Sequence, residues 1–161
     1  MDLVAEEMQT PEWFVEMSEN NPETLQENLA TFERLLDYNI NTQIVWAHVG
    51  SDTTGVLTPT LVAELLEKHP NLIAQLRLSG APVESPYNIL YKGKISEEWI
   101  TVLTTYPDRF ILGSDTFFGN EEEERAQKNA ALFLSQLPED VAMSIACENT
   151  VRIYHLNTTC G

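Results

Sequence analysis

Two apolar runs each end in a residue able to move a proton or bind a metal. Ile44-Val45-Trp46-Ala47-His48-Val49-Gly50 delivers His48, and Arg109-Phe110-Ile111-Leu112-Gly113-Ser114-Asp115-Thr116 delivers Asp115. Each reads as a buried strand carrying one polar group to its C-terminal end, the rim where parallel α/β proteins do chemistry. A strand-end histidine beside a glycine can be a metal ligand, a general base or a hydrogen-bond donor. The alternative is a core histidine satisfied by backbone. A carboxylate after a wholly apolar run is costly to bury unless it is paired, hydrogen-bonded or metal-bound. Its other job, capping the following helix, already falls to Asn120. The two residues lie about two βα units apart, which places them on one rim, on strands separated by one.

Arg77 alternates with Gln75 and Ser79, so these polar groups share one face of a strand. Such a face suits an anionic or polar substrate, and a surface salt bridge is the alternative. Tyr87, with Tyr91 and Lys92, lies in a long irregular stretch that could close over a ligand or simply pack. His69, before Pro70, reads as a surface residue. Ser51 and Ser114 lack the Gly-x-Ser-x-Gly setting of a serine nucleophile, and no phosphate-binding glycine loop is present.

The elements that must position these groups follow from periodicity and punctuation. A helix is predicted over Pro22–Asn39, capped by Asn21, with Leu25, Leu29, Phe32, Leu35 and Leu36 on one stripe. A strand, Thr42–Val49, follows; its lack of strict alternation predicts burial on both faces. Gly50–Gly55 is a polar loop. Thr58 caps a second helix that ends at His69-Pro70. Asn71–Leu78 is a second strand, Ser79–Lys94 the long stretch, and Ser96 the cap of a third helix. Arg109–Ser114 is the third strand. The acidic turn Glu121–Glu124 opens another helix, and a last one starts at Pro138 with Val141, Ala142 and Ile145 inward, then Val151 and Tyr154. This alternation predicts an α/β fold with parallel strands, a single domain over residues 1–161.

Composition limits the partners. The formal charge of −16 on 161 residues repels nucleic acid and anionic membranes, so neither is an expected partner. No apolar stretch is long enough to span a bilayer, and the start Met-Asp-Leu-Val-Ala-Glu-Glu lacks a basic leader. The expectation is a soluble, cytoplasmic protein. Two cysteines, Cys147 and Cys160, make neither a disulfide framework nor a zinc ribbon, and Cys160 is expected to fray with the chain end.

With His48 and Asp115 placed, the chain resembles the amidohydrolase-related metal-dependent hydrolases, (β/α)8 barrels that include carboxylate decarboxylases. The resemblance lies in Val45-Trp46-Ala47-His48-Val49-Gly50, in Tyr106-Pro107-Asp108 through Gly113-Ser114-Asp115, in Leu65 through Leu72, and in Ile145-Ala146-Cys147-Glu148-Asn149-Thr150-Val151-Arg152. It covers roughly Thr24 to Leu156 and implies strands six to eight, the C-terminal part of a TIM barrel. It also implies a divalent cation, zinc, at Asp115 and His48, lowering the pKa of water for attack on a small carbonyl or carboxylate substrate. Non-oxidative decarboxylation is the related reaction. Asp115 and His48 would then be catalytic as well as ligands, with Arg77 and Tyr87 binding substrate. No histidine precedes His48, so the His-x-His pair of such enzymes is absent, and a whole barrel needs about 250 residues. The expectation is weak or absent turnover by this chain alone. The alternative is a non-catalytic acidic α/β domain acting through self-association, a homo-oligomer, or partner binding.

Overall fold

A computed structural model describes residues 27–52, 57–78, 85–115 and 121–160. The expected Asn21 and Asn120 caps and the start of the first helix lie outside these residues. A helix covers residues 27–38 (α1). It is followed by Ile44–Val49 (β1), Pro59–Lys68 (α2), Leu72–Arg77 (β2), Glu97–Thr105 (α3), a 3-10 turn at Pro107–Arg109, Phe110–Gly113 (β3) and Glu121–Leu134 (α4). Glu139–Met143 (α5), a π turn at Ser144–Glu148 and Asn149–Ile153 (α6) then run on as one continuous helical rod. No helix among the described residues is long and apolar enough to cross a membrane.

The strands form one parallel sheet in the order β1-β2-β3, so the expected α/β alternation with parallel strands is what the chain adopts. Strand order follows chain order, and α2, α3 and α4 all contribute to the cluster on one face of the sheet. That cluster joins Leu72, Ala74, Leu76 and Phe110 to Val62, Leu65 and Leu66 of α2, Trp99 and Leu103 of α3, Phe133 of α4 and Leu36 of α1. Each of the Val, Leu and Phe side chains among them contributes about 1.5–3 kcal/mol on leaving water. Two of the helices start where the sequence says they should: Thr58 Oγ1 accepts from Leu61 N at 3.1 Å, and Ser96 Oγ accepts from Trp99 N at 3.2 Å.

The opposite face is apolar at its base and polar at its top. Ile73 and Ile111 pack there with Val45 and with Ile153 of α6, while Gln75 and Arg77 occupy the upper positions. Arg109 Nε donates to Leu72 O at 2.8 Å and its Nη2 to His69 O at 2.7 Å. Asn149 Nδ2 donates to Pro107 O at 2.7 Å and Phe110 O at 2.8 Å. Burial pushes the Arg109 guanidinium below its ordinary range, which leaves a side chain of such high intrinsic pKa still protonated.

Four expectations are corrected. β1 is half-exposed rather than buried on both faces, because its outer edge meets no other strand among the described residues. The rod buries Val141, Ile145, Asn149 and Ile153, a spacing of four, and leaves Ala142, expected inward, only half-buried. The π turn supplies the wider period. His69 is buried, not superficial: Nε2 lies 3.3 Å from Glu33 Oε1 and Nδ1 3.2 Å from Asp37 Oδ1, so α1 covers it. Cys160 does not fray; it bonds to Cys147 across a sequence separation of 13.

Candidate active site at the sheet rim

His48 reaches the rim through an irregularity in β1. Trp46 pairs with Ala74 and Val49 with Leu76, so three steps along β1 match two along β2. This is a bulge of one residue, a device that re-aims a side chain at the end of a strand. Trp46 and Val49 both join the helix-covered core, leaving Ala47 and His48 exposed. His48 takes φ 67°, and Gly50 two residues on takes φ 84°. A Cβ on Gly50 would meet Ile89 at 2.9 Å, so the close approach needs glycine as much as the dihedral does.

Asp115 follows β3 with φ 49°. Side chains in this left-handed region are uncommon and cost free energy that the surroundings must offset. Four non-glycine residues of the described chain have positive φ, and two of them are this pair. Asp115 Oδ1 lies 3.4 Å from His48 Nε2, and Oδ2 lies 3.0 Å from Arg77 Nε. The Arg77 contact has ion-pair separation without hydrogen-bond alignment. One carboxylate on β3 therefore joins a histidine from β1 and an arginine from β2. Its exposure (39 %) and that of His48 (52 %) leave the group open to a ligand, whereas Arg77 is mostly covered (23 %).

Gln75 supports this face from below. A Cβ on Gly113 would fall 2.0 Å from Gln75 Nε2, so the glutamine amide lies across the glycine. Across β3, a cavity of about 250 Å³ lies between Leu78, Leu112 and Ser114 and the α4 residues Ala126 and Ala130.

No family model, curated protein or solved structure matches this chain. The site is therefore read from its own groups. It brings together His48, Arg77 and Asp115. Tyr87 is half-buried in the β2–α3 connection: its carbonyl accepts from Trp99 Nε1 at 2.8 Å and its N–H donates to Ser85 Oγ at 3.2 Å. Those contacts fix its backbone.

Sequence reasoning missed the clasp that holds that connection to the β1 end. Asp52, fully buried, accepts from Ser85 Oγ at 2.5 Å and from Leu57 N at 3.3 Å, and its N–H donates to Asn88 Oδ1 at 2.7 Å. Ile89 N donates to Gly50 O at 2.8 Å. The available signal was the polar pair Ser51-Asp52 directly after a strand-end His-x-Gly.

The cation implied by the resemblance does not fit these residues as they stand. No group of three or more His, Cys, Asp or Glu able to hold a metal occurs among the described residues. Catalytic zinc sites use three protein ligands and an open position. His48 and Asp115 are two, and a guanidinium stands against one of them.

Proposed function

We propose that this chain forms the last three βα units of an amidohydrolase-type (β/α)8 barrel, acting by proton transfer on a small carbonyl or carboxylate substrate. The reaction is hydrolysis or non-oxidative decarboxylation. The observation that carries this reading is the meeting of His48 and Asp115 at the C-terminal rim, from strands separated by one, both with left-handed backbones. His48 is the group that gives and takes the proton, Asp115 orients its ring, and Arg77 holds substrate charge. A divalent ion in the complete family site would supply Lewis acidity and an activated water. Its further ligands would have to come from outside the described residues, so the roles proposed here rest on the three side chains themselves.

Assay of the protein against a panel of small aryl and aliphatic carboxylates and esters tests this. Where turnover is found, His48→Gln is expected to lower it by about 10²–10⁴-fold, with the circular dichroism spectrum unchanged. Turnover equal to the parent in that variant refutes the assignment.

The second reading is an acidic domain that pairs with itself. It is favoured by the outer edge of β1, which meets no strand among the described residues, and by exposed Leu35, Tyr38 and Ile40 nearby in sequence. A stable dimer in light scattering with no turnover on the panel would support it. The Cys147–Cys160 bond favours an oxidising compartment over the cytoplasm.

A further inference from the structure

The donor set at the rim is matched to an anion. We propose that the His48–Arg77–Asp115 group is a receptor for a small carboxylate, with Arg77 standing where a divalent cation would otherwise sit against Asp115. The proposal names the ligand of the site just described, and rests on that site's geometry rather than on its family assignment.

Three observations carry it. Both oxygens of Asp115 are already engaged, one at 3.0 Å from Arg77 Nε and the other at 3.4 Å from His48 Nε2. A metal binding Asp115 would have to displace the arginine, whose positive charge cannot be shed by deprotonation. Second, Arg77 spends only its Nε on Asp115. Its two Nη nitrogens have no partner among the described residues, although the side chain is mostly covered. The planar edge they form accepts a carboxylate through two parallel hydrogen bonds. Third, the chain has 9 Lys and Arg against 25 Asp and Glu. Arg109 and Arg152 donate to backbone carbonyls, and Lys68 and Lys128 pair with Glu33 and Glu124. On so acidic a surface, an anion finds little nonspecific attraction, so saturable binding requires a local cation of this kind.

The test is titration of the dialysed full chain by calorimetry, with sodium malonate in one series and zinc chloride in another. Malonate is expected to saturate one site. Arg77→Met is expected to weaken malonate at least tenfold while tightening zinc, because the carboxylate and imidazole are then released to a cation. Arg77→Lys keeps the charge without the fork and is expected to fall between. In nuclear magnetic resonance, malonate should shift the His48 ring signals of the parent protein, a readout that does not depend on any variant folding. Stoichiometric zinc binding by the parent, malonate binding indifferent to Arg77→Met, or an unmoved His48 signal each overturns the proposal. Malonate binding without turnover would leave this inference standing and remove the enzymatic reading. Turnover without malonate binding would do the reverse.

Discussion

The two ends of the sheet are built on different principles. At the base, cationic and amide side chains donate to backbone carbonyls: Arg109 to Leu72 and His69, Asn149 to Pro107 and Phe110, Arg152 to Asp108. Ile153 seals the apolar layer above them. At the rim, His48 and Arg77 share the Asp115 carboxylate, half-open to water, with His48 and Asp115 both left-handed. The base spends the donors of Arg109, Asn149 and Arg152 on backbone carbonyls. The rim holds unusual backbone in place and keeps donor capacity in reserve. Parallel α/β folds generally keep stabilising contacts at the base and chemistry at the rim, and the proposed site lies at the rim end.

Substitutions should separate the two ends. The largest effect on folding is expected from Asn149→Ala, which strands two buried carbonyls at once. A loss of about 3 kcal/mol in urea unfolding is expected, with malonate binding to the surviving native fraction unchanged. A loss near zero would mean that the base is not the anchor described. His48→Gly should behave in the opposite way. Glycine adopts φ 67° without strain, so the variant is expected to be as stable as the parent or more stable by up to about 1 kcal/mol, while losing any turnover. A clear destabilisation would show that His48 packs rather than waits for a ligand.

How much of this was legible in the chain depends on the range of the interaction. The strands, the Thr58 and Ser96 caps and the meeting of His48 with Asp115 follow from local patterns: apolar runs, punctuation and chain order. The bulge at Ala47–His48 does not, because it exists only in the pairing of β1 with β2. The burial of His69 depends on where α1 lands, and the His69-Pro70 dipeptide says nothing of Glu33 or Asp37. Cys147 and Cys160 are brought together by a π turn and a chain reversal that no hydropathy period announces. The resemblance of the motifs to amidohydrolases predicted a cation, but it could not foresee Arg77 against Asp115, a contact between neighbouring strands.

The smallest expected effect lies at neither end but on the flank, where Glu33 of α1 meets Lys68 and His69 of α2's end. The Lys68 hydrogen bond, followed by that from His69, holds the Glu33 carboxyl below its ordinary value of 4.5. Its stabilising contribution is therefore complete above that value and fades as pH falls through the lowered one. Glu33 likewise raises Lys68 above its ordinary 10.5, so that contribution is complete below 10.5 and is lost as pH rises through the raised value. Both groups are solvated, so the change is small. Glu33→Gln should flatten the acid and alkaline limbs of the melting-temperature profile slightly. Identical profiles would place α1's attachment wholly in its apolar contacts, Leu36 foremost.

The bond between Cys147 and Cys160 makes the last part of the chain a closed ring. Residues 154–159 are all exposed, so a protease can reach them. A cut there would release nothing: both pieces would travel together until a reductant parted them. Since these are the only two cysteines, the intact ring also leaves the surface without a thiol for alkylating reagents or soft metals.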